Sequence, residues 1–139
     1  MKSICLILTI LISLNLNAKE NHKASSKEHS EDHTSDICSS TDAKICAHIG
    51  HMNGMKSKSE SSFKVHVMIE KPITNLKVEL WMPEHDHGTN SPVVVAQDKG
   101  NKYDVTKAVF SMPGKWVARL NFEVDKIPHK IEIPLIIEK

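Results

Sequence analysis

Beyond residue 18 the chain holds no apolar stretch that could cross a bilayer, which takes roughly 20 such residues. It has no glycine-rich phosphate loop, no Ser-His-Asp spacing and no pair of carboxylates in an apolar setting. Those gaps remove phosphate-cradle, triad and paired-carboxylate chemistry, and the protein is expected not to be an enzyme. Basic residues number 18 and acidic ones 17, so no basic stripe is left over for nucleic acid. Cysteine is scarce, and none follows Cys46. A blue-copper carrier normally needs a Cys and a His on one closing loop near the C-terminus, so the missing cysteine argues against that class. Cys38 and Cys46 are too far apart for a thioredoxin-like motif. No internal repeat occurs, and no stretch keeps a helical period with helix-forming residues.

What is present begins with an address. Met1-Lys2 is followed by an uncharged apolar run from Ile4 to Ile12, and a small residue, Ala18, precedes Lys19-Glu20. The run is interrupted by Ser13, Asn15 and Asn17. A basic start, a short apolar stretch and a small residue describe a secretory signal peptide over residues 1–18, with an uncleaved anchor as the rival. Cys5 comes too early to carry a lipid. The expected location is periplasmic or secreted, with no membrane span in the mature chain.

Residues 19–37 hold almost no apolar side chain and are expected to form a disordered polar linker. His22, His29 and His33 sit in it, either as part of a polar spacer or as a weak metal-collecting tail. Residues 38–60 are rich in Cys, His and Met. Thr41-Asp42 can cap a short helix through residues 43–49, ended by Gly50, so a helical turn or irregular loop is expected there.

Residues 61–139 read as one domain. Phe63, Val65, Val67 and Ile69 alternate with polar neighbours, as do Leu76, Val78, Leu80 and Met82. The same holds for Trp116, Ala118, Leu120, Phe122 and Val124, and for Ile131, Ile133, Leu135 and Ile137. Residues 92–96 and 103–110 are further strand candidates. Period-two alternation is what half-buried antiparallel strands require. Pro72, Pro83, Pro113-Gly114 and Pro128 punctuate the runs, and residues 98–101 read as a hairpin turn. Pro134 lacks a backbone donor, so the last strand is expected to lie at a sheet edge or to pair on one side near that residue. The fold class is therefore all-β, an immunoglobulin-like antiparallel sandwich of about six or seven strands.

Three loops carry the candidate chemistry. The first, residues 81–88, offers Met82, His85 and His87 between Pro83 and Gly88, where Gly88 is expected to allow the chain to return. A thioether with imidazoles suits Cu(I), while imidazoles alone suit Cu(II) or Zn(II). The competing reading is a solvated turn. The second, residues 46–55, gathers Cys46, His48, His51, Met52 and Met55. The third places Met112 at a turn, as a ligand or as packing. Cys38 and Cys46 either close a disulfide, allowed in an oxidising compartment, or leave Cys46 as a thiolate ligand. His66 and His129 read as ordinary surface residues.

The stretch Trp81-Met82-Pro83-Glu84-His85-Asp86-His87-Gly88, with Gly100, Tyr103, Phe110, Met112-Pro113-Gly114, Trp116 and Leu120, resembles the YtkA-like and FixH-like exported domains. The resemblance spans residues 63–120. It implies an immunoglobulin-like sandwich outside the cytoplasm, associated with copper handling or with assembly of copper-containing respiratory oxidases. It matches Met82, His85 and His87 to the family's first motif, and Met112 and Trp116 to its second. FixH-like proteins carry an N-terminal membrane helix, whereas this chain starts with a cleavable-type signal. The reading is an exported metal-binding protein, a copper carrier or buffer. Its expected partners are copper ion and a membrane oxidase assembly or metal-transport protein. The alternative is a non-metal interaction module anchored on Trp81 and Trp116.

Overall fold

Val65 and Val67 are wholly buried while Lys64 before them and His66 between them face outward, and that two-residue rhythm builds the whole domain. A computed structural model describes residues 33–139. The expected signal segment and most of the expected linker lie outside the described residues.

The strands run β1 (Ile37–Cys38), β2 (Cys46–Asn53), β3 (Glu60–Met68), β4 (Thr74–Met82), β5 (His87–Gly88), β6 (Val94–Lys99), β7 (Lys102–Val109), β8 (Gly114–Val124) and β9 (Ile127–Ile137). A single 3-10 turn, Pro83–His85, lies between β4 and β5. One sheet has the order β1-β2-β3-β7-β6 and the other β5-β4-β8-β9, and every strand pairing within them is antiparallel. Strands β2-β3-β7-β6 facing β4-β8-β9 reproduce the ABED and CFG arrangement of an immunoglobulin-like sandwich. Among the described residues no helix is long and apolar enough to cross a membrane.

The core lies between the two inner faces. Ile49, Phe63, Val65 and Val105 come from one sheet, and Trp116, Leu120, Ile131 and Ile133 from the other. Each such side chain contributes about 1.5–3 kcal/mol by leaving water. Strands β8 and β9 pair without interruption from Gly114↔Ile137 to Val124↔Ile127. Pro134 sits on β9, at the sheet edge where its missing donor costs nothing.

Two expectations are corrected. The segment expected to be a short helix or irregular loop supplies strands β1 and β2. Asp42 makes a turn instead of a helix cap: its carbonyl accepts from the Ile45 amide at 3.0 Å and its Oδ1 from the Lys44 amide at 2.9 Å. Ala47 and Ile49 then face the core while His48 faces out, an alternation that a sheet can use and a helix cannot. The sandwich consequently begins before residue 61; its seven longer strands agree with the number expected, and the two-residue strands β1 and β5 are added at the sheet edges. His129 is also no surface residue. It is 8% exposed, stacks on Phe122 at 5.8 Å, and meets Thr41 Oγ1 through Nδ1 at 3.1 Å.

Candidate functional site

The residue 81–88 turn is set by three backbone choices. Met82 is still extended, Pro83 starts the 3-10 turn, and Asp86 takes a left-handed conformation at φ 52°. His87 then comes back to pair with Met82, and Gly88 with Trp81. Asp86, a residue that tolerates positive φ, therefore makes the reversal. Gly88 has a different task from the one expected. A β-carbon there would stand 3.1 Å from the Leu80 carbonyl and 3.4 Å from the Trp81 ring, so its small size lets β5 lie against β4.

His85 is exposed and His87 half-buried, with ring centres 6.0 Å apart. His87 Nδ1 lies 3.0 Å from the Gly88 carbonyl. A carbonyl only accepts, so Nδ1 carries the proton and the neutral ring keeps its lone pair on Nε2. Fixing one ring nitrogen in this way is how proteins orient a metal-binding imidazole. The His87 ring meets the edge of Trp116 at 5.7 Å. Trp116 in turn packs on Phe110 at 5.2 Å and donates from Nε1 to the Met112 carbonyl at 3.1 Å. His85, His87, Trp116 and the Met112 turn thus form one contiguous end of the sandwich.

The methionines differ in availability. Met82 is 2% exposed and its ε-methyl packs against Gly114, so it belongs to the core of this turn. Met112 is partly buried and packs on the core cluster. Beside it, Ser111 Oγ is buried with no hydrogen-bond partner among the described residues. Trp116 is 1% exposed, which removes it as a recognition anchor. Trp81 faces out from the other side of β4, with the Arg119 guanidinium 4.6 Å above its ring.

The residue 46–55 cluster is split three ways. Cys46 is joined to Cys38 by a disulfide, so it offers no thiolate and is corrected as a ligand. Met52 and Met55 pack against the core and line a depression of about 490 Å³ beside the end of β9. The Met55 carbonyl accepts from the Glu138 amide at 3.1 Å, which holds that turn to the β9 edge. The order β5-β4-β8-β9 puts two strands between that edge and the edge that carries His87. Met52 and Met55 therefore do not join the His85–His87 turn.

His48 and His51 belong to neither place. They lie on the outer face of the five-stranded sheet with His33, expected in the polar linker, and His66, expected to be an ordinary surface residue. His48 and His66 are direct partners across β2 and β3, with ring centres 5.2 Å apart. His33 stands 5.4 Å from His48 and 5.7 Å from His51. His48 Nδ1 lies 3.0 Å from Asp36 Oδ1. Burial pushes the His66 imidazole below its ordinary pKa, and the neighbouring His48 and Lys102 push the same way, against Asp36. Among the described residues no three His, Cys, Asp or Glu side chains are already gathered as a metal-holding group.

An immunoglobulin-like sandwich with a Met-Pro-x-His-x-His turn leading into a short edge strand defines the class. The YtkA-like family model matches residues 52–121, half of the chain, and the protein belongs to that family. The matched stretch holds the turn, Met112 and Trp116, and ends before β9. No curated protein and no solved structure matches the chain.

Proposed function

We propose that this YtkA-like protein is an exported, non-enzymatic copper-binding protein that holds the ion at the His85–His87 turn. The observation that carries this reading is the locked His87 ring 6.0 Å from His85. Two imidazoles sharing one ion at about 2 Å hold their ring centres roughly 5–6 Å apart. In this reading the Met112 turn, whose carbonyl is tied to Trp116, would supply a thioether as third donor, which would favour Cu(I) over harder ions. Met82 supports the turn by packing and is no longer in the donor set. The Cys38–Cys46 disulfide fits an oxidising, extracytoplasmic location. Two or three ligands with one exposed side suit a carrier or buffer that hands copper on. A membrane-bound oxidase assembly or a metal-transport protein is the kind of recipient it would serve.

The test is titration of the full chain with Cu(I) and Cu(II), followed by Trp fluorescence and competition with a chelator. Trp116 lies 5.7 Å from His87, so Cu(II) at this turn should quench its emission. His85→Ala/His87→Ala should abolish the quenching and weaken Cu(I) binding at least about tenfold. Unchanged Cu(I) affinity in that variant would exclude the turn as the site.

A further inference from the structure

We infer a second metal site, separate from the His85–His87 turn. It lies on the outer face of the five-stranded sheet, where the cross-strand pair His48 and His66 takes a divalent, imidazole-seeking ion such as Zn(II) or Cu(II).

The register creates the pair. β2 and β3 are antiparallel, and His48 and His66 face each other across them. Ala47 and Ile49 flank one ring, Val65 and Val67 the other, and all four are fully buried. Both imidazoles are thereby forced to the same outer face. Their ring centres, 5.2 Å apart, have the separation of two imidazoles on one tetrahedral ion, about 5 Å for bonds near 2.0–2.1 Å.

Asp36 supplies the outer support. Its Oδ1 lies 3.0 Å from His48 Nδ1, so the carboxylate holds the proton there and leaves Nε2 as the donor. Carboxylate–histidine pairs of this kind orient metal ligands and raise their basicity. The nearby Lys64 ammonium is held by Asp98 and Asp104, at 2.9 Å each, which offsets its charge at the rim.

Two backbone features bring further imidazoles to the same place. Strict alternation after Ile49 would turn His51 inward. The β2–β3 register shifts between Gly50 and Asn53, and His51 adopts φ 51°, which leaves it exposed on the outer face instead. Gly50 is the second feature. The His33 ring occupies the space where a β-carbon on Gly50 would sit, so any larger residue would expel it. His33 reaches His48 and His51 from that seat. The two-histidine core is the site, and a side-chain rotation of His33 adds the third ligand on binding. No sulfur donor lines this depression, which sets its preference apart from the copper turn.

The test uses the full chain and Zn(II) alone, with the histidine ring resonances followed by NMR. Zn(II) should shift His48 and His66 with one-to-one saturation. His48→Asn/His66→Asn should weaken Zn(II) affinity, read by competition with a chelator, more than about tenfold, and Asp36→Asn by about tenfold. His66→Gln, which keeps a polar outer face, provides the same readout should the double variant fail to fold. Gly50→Ala should remove the His33 shift first. His85→Ala/His87→Ala should leave the His48 and His66 shifts unchanged, which separates this site from the turn. Zn(II) that moves neither ring by about 1 mM, or an affinity unchanged in the His48/His66 variants, would overturn the proposal.

Discussion

The ε-methyl of Met82 lies 2.8 Å from the point where a β-carbon on Gly114 would stand. Gly114 also holds φ 133°, a conformation that L side chains rarely adopt. The methionine at the end of β4 therefore fills the space that a side chain at the start of β8 would need. Gly114→Ala combines backbone strain with overpacking, and we expect it to cost about 2–4 kcal/mol. Met82→Leu keeps volume and should cost less than about 1.5 kcal/mol. Urea unfolding of both variants checks the contrast. Equal effects would show that Met82 is not packed as described.

The Cys38–Cys46 disulfide ties the first strand pair together near its turn, across a sequence separation of 8. Closing so short a loop should stabilise the domain by about 2–3 kcal/mol. Cys38→Ser/Cys46→Ser should lower the melting temperature accordingly, and reductant should have the same effect on the parent chain and none on the variant. A variant as stable as the parent would mean that β1 adds no cooperative stability.

Most of the sandwich was legible because its strands alternate. From Phe63 to Ile137 the inward residues named from period two are the ones that fill the core, Ile69 and Leu76 being only partly buried at strand ends. Pro134 announced its edge. The segment around Ala47 was not legible, because Thr41-Asp42 imitates a helix cap and the alternation there runs only from Ile45 to Ile49 before the bulge. Reading it as helix hid the register, and with it the pairing of His48 with His66. His66 looked ordinary because a ring between two valines reveals its partner only when the opposite strand is known. The His85–His87 turn was legible as a loop, and Met82 carried two readings, inward by alternation and ligand by its place before the turn, of which the core reading holds. Its place depends on a glycine on another strand, far along the chain.

Ser111 Oγ is buried with no partner among the described residues, directly beside Met112. Leaving a hydroxyl unpaired costs about 1–3 kcal/mol. Ser111→Ala removes that cost and only a small volume, so it should be neutral or stabilise the domain by up to about 1 kcal/mol. Thermal unfolding in the presence of a chelator checks this. Clear destabilisation would mean that the hydroxyl is satisfied in solution by water.

The His66 imidazole is held below the ordinary histidine value of 6.5, first by burial and then by His48 and Lys102, with Asp36 opposing. The sign of its effect on stability follows. Below pH 6.5 the unfolded chain takes up this proton more readily than the folded one, so acid favours unfolding. The contribution is fully present above pH 6.5 and is lost as pH falls through the lower, folded-state value. His66→Gln cannot titrate, so it should flatten stability against pH just below 6.5 relative to the parent chain. Zn(II) sharpens the comparison. A metal that needs the neutral ring should stabilise the parent above this window, lose its effect below it, and do little for His66→Gln at any pH. Denaturant midpoints measured across the window, with and without Zn(II), provide both readings. A parent and variant with parallel pH profiles would show that the ring is already solvated in the folded protein.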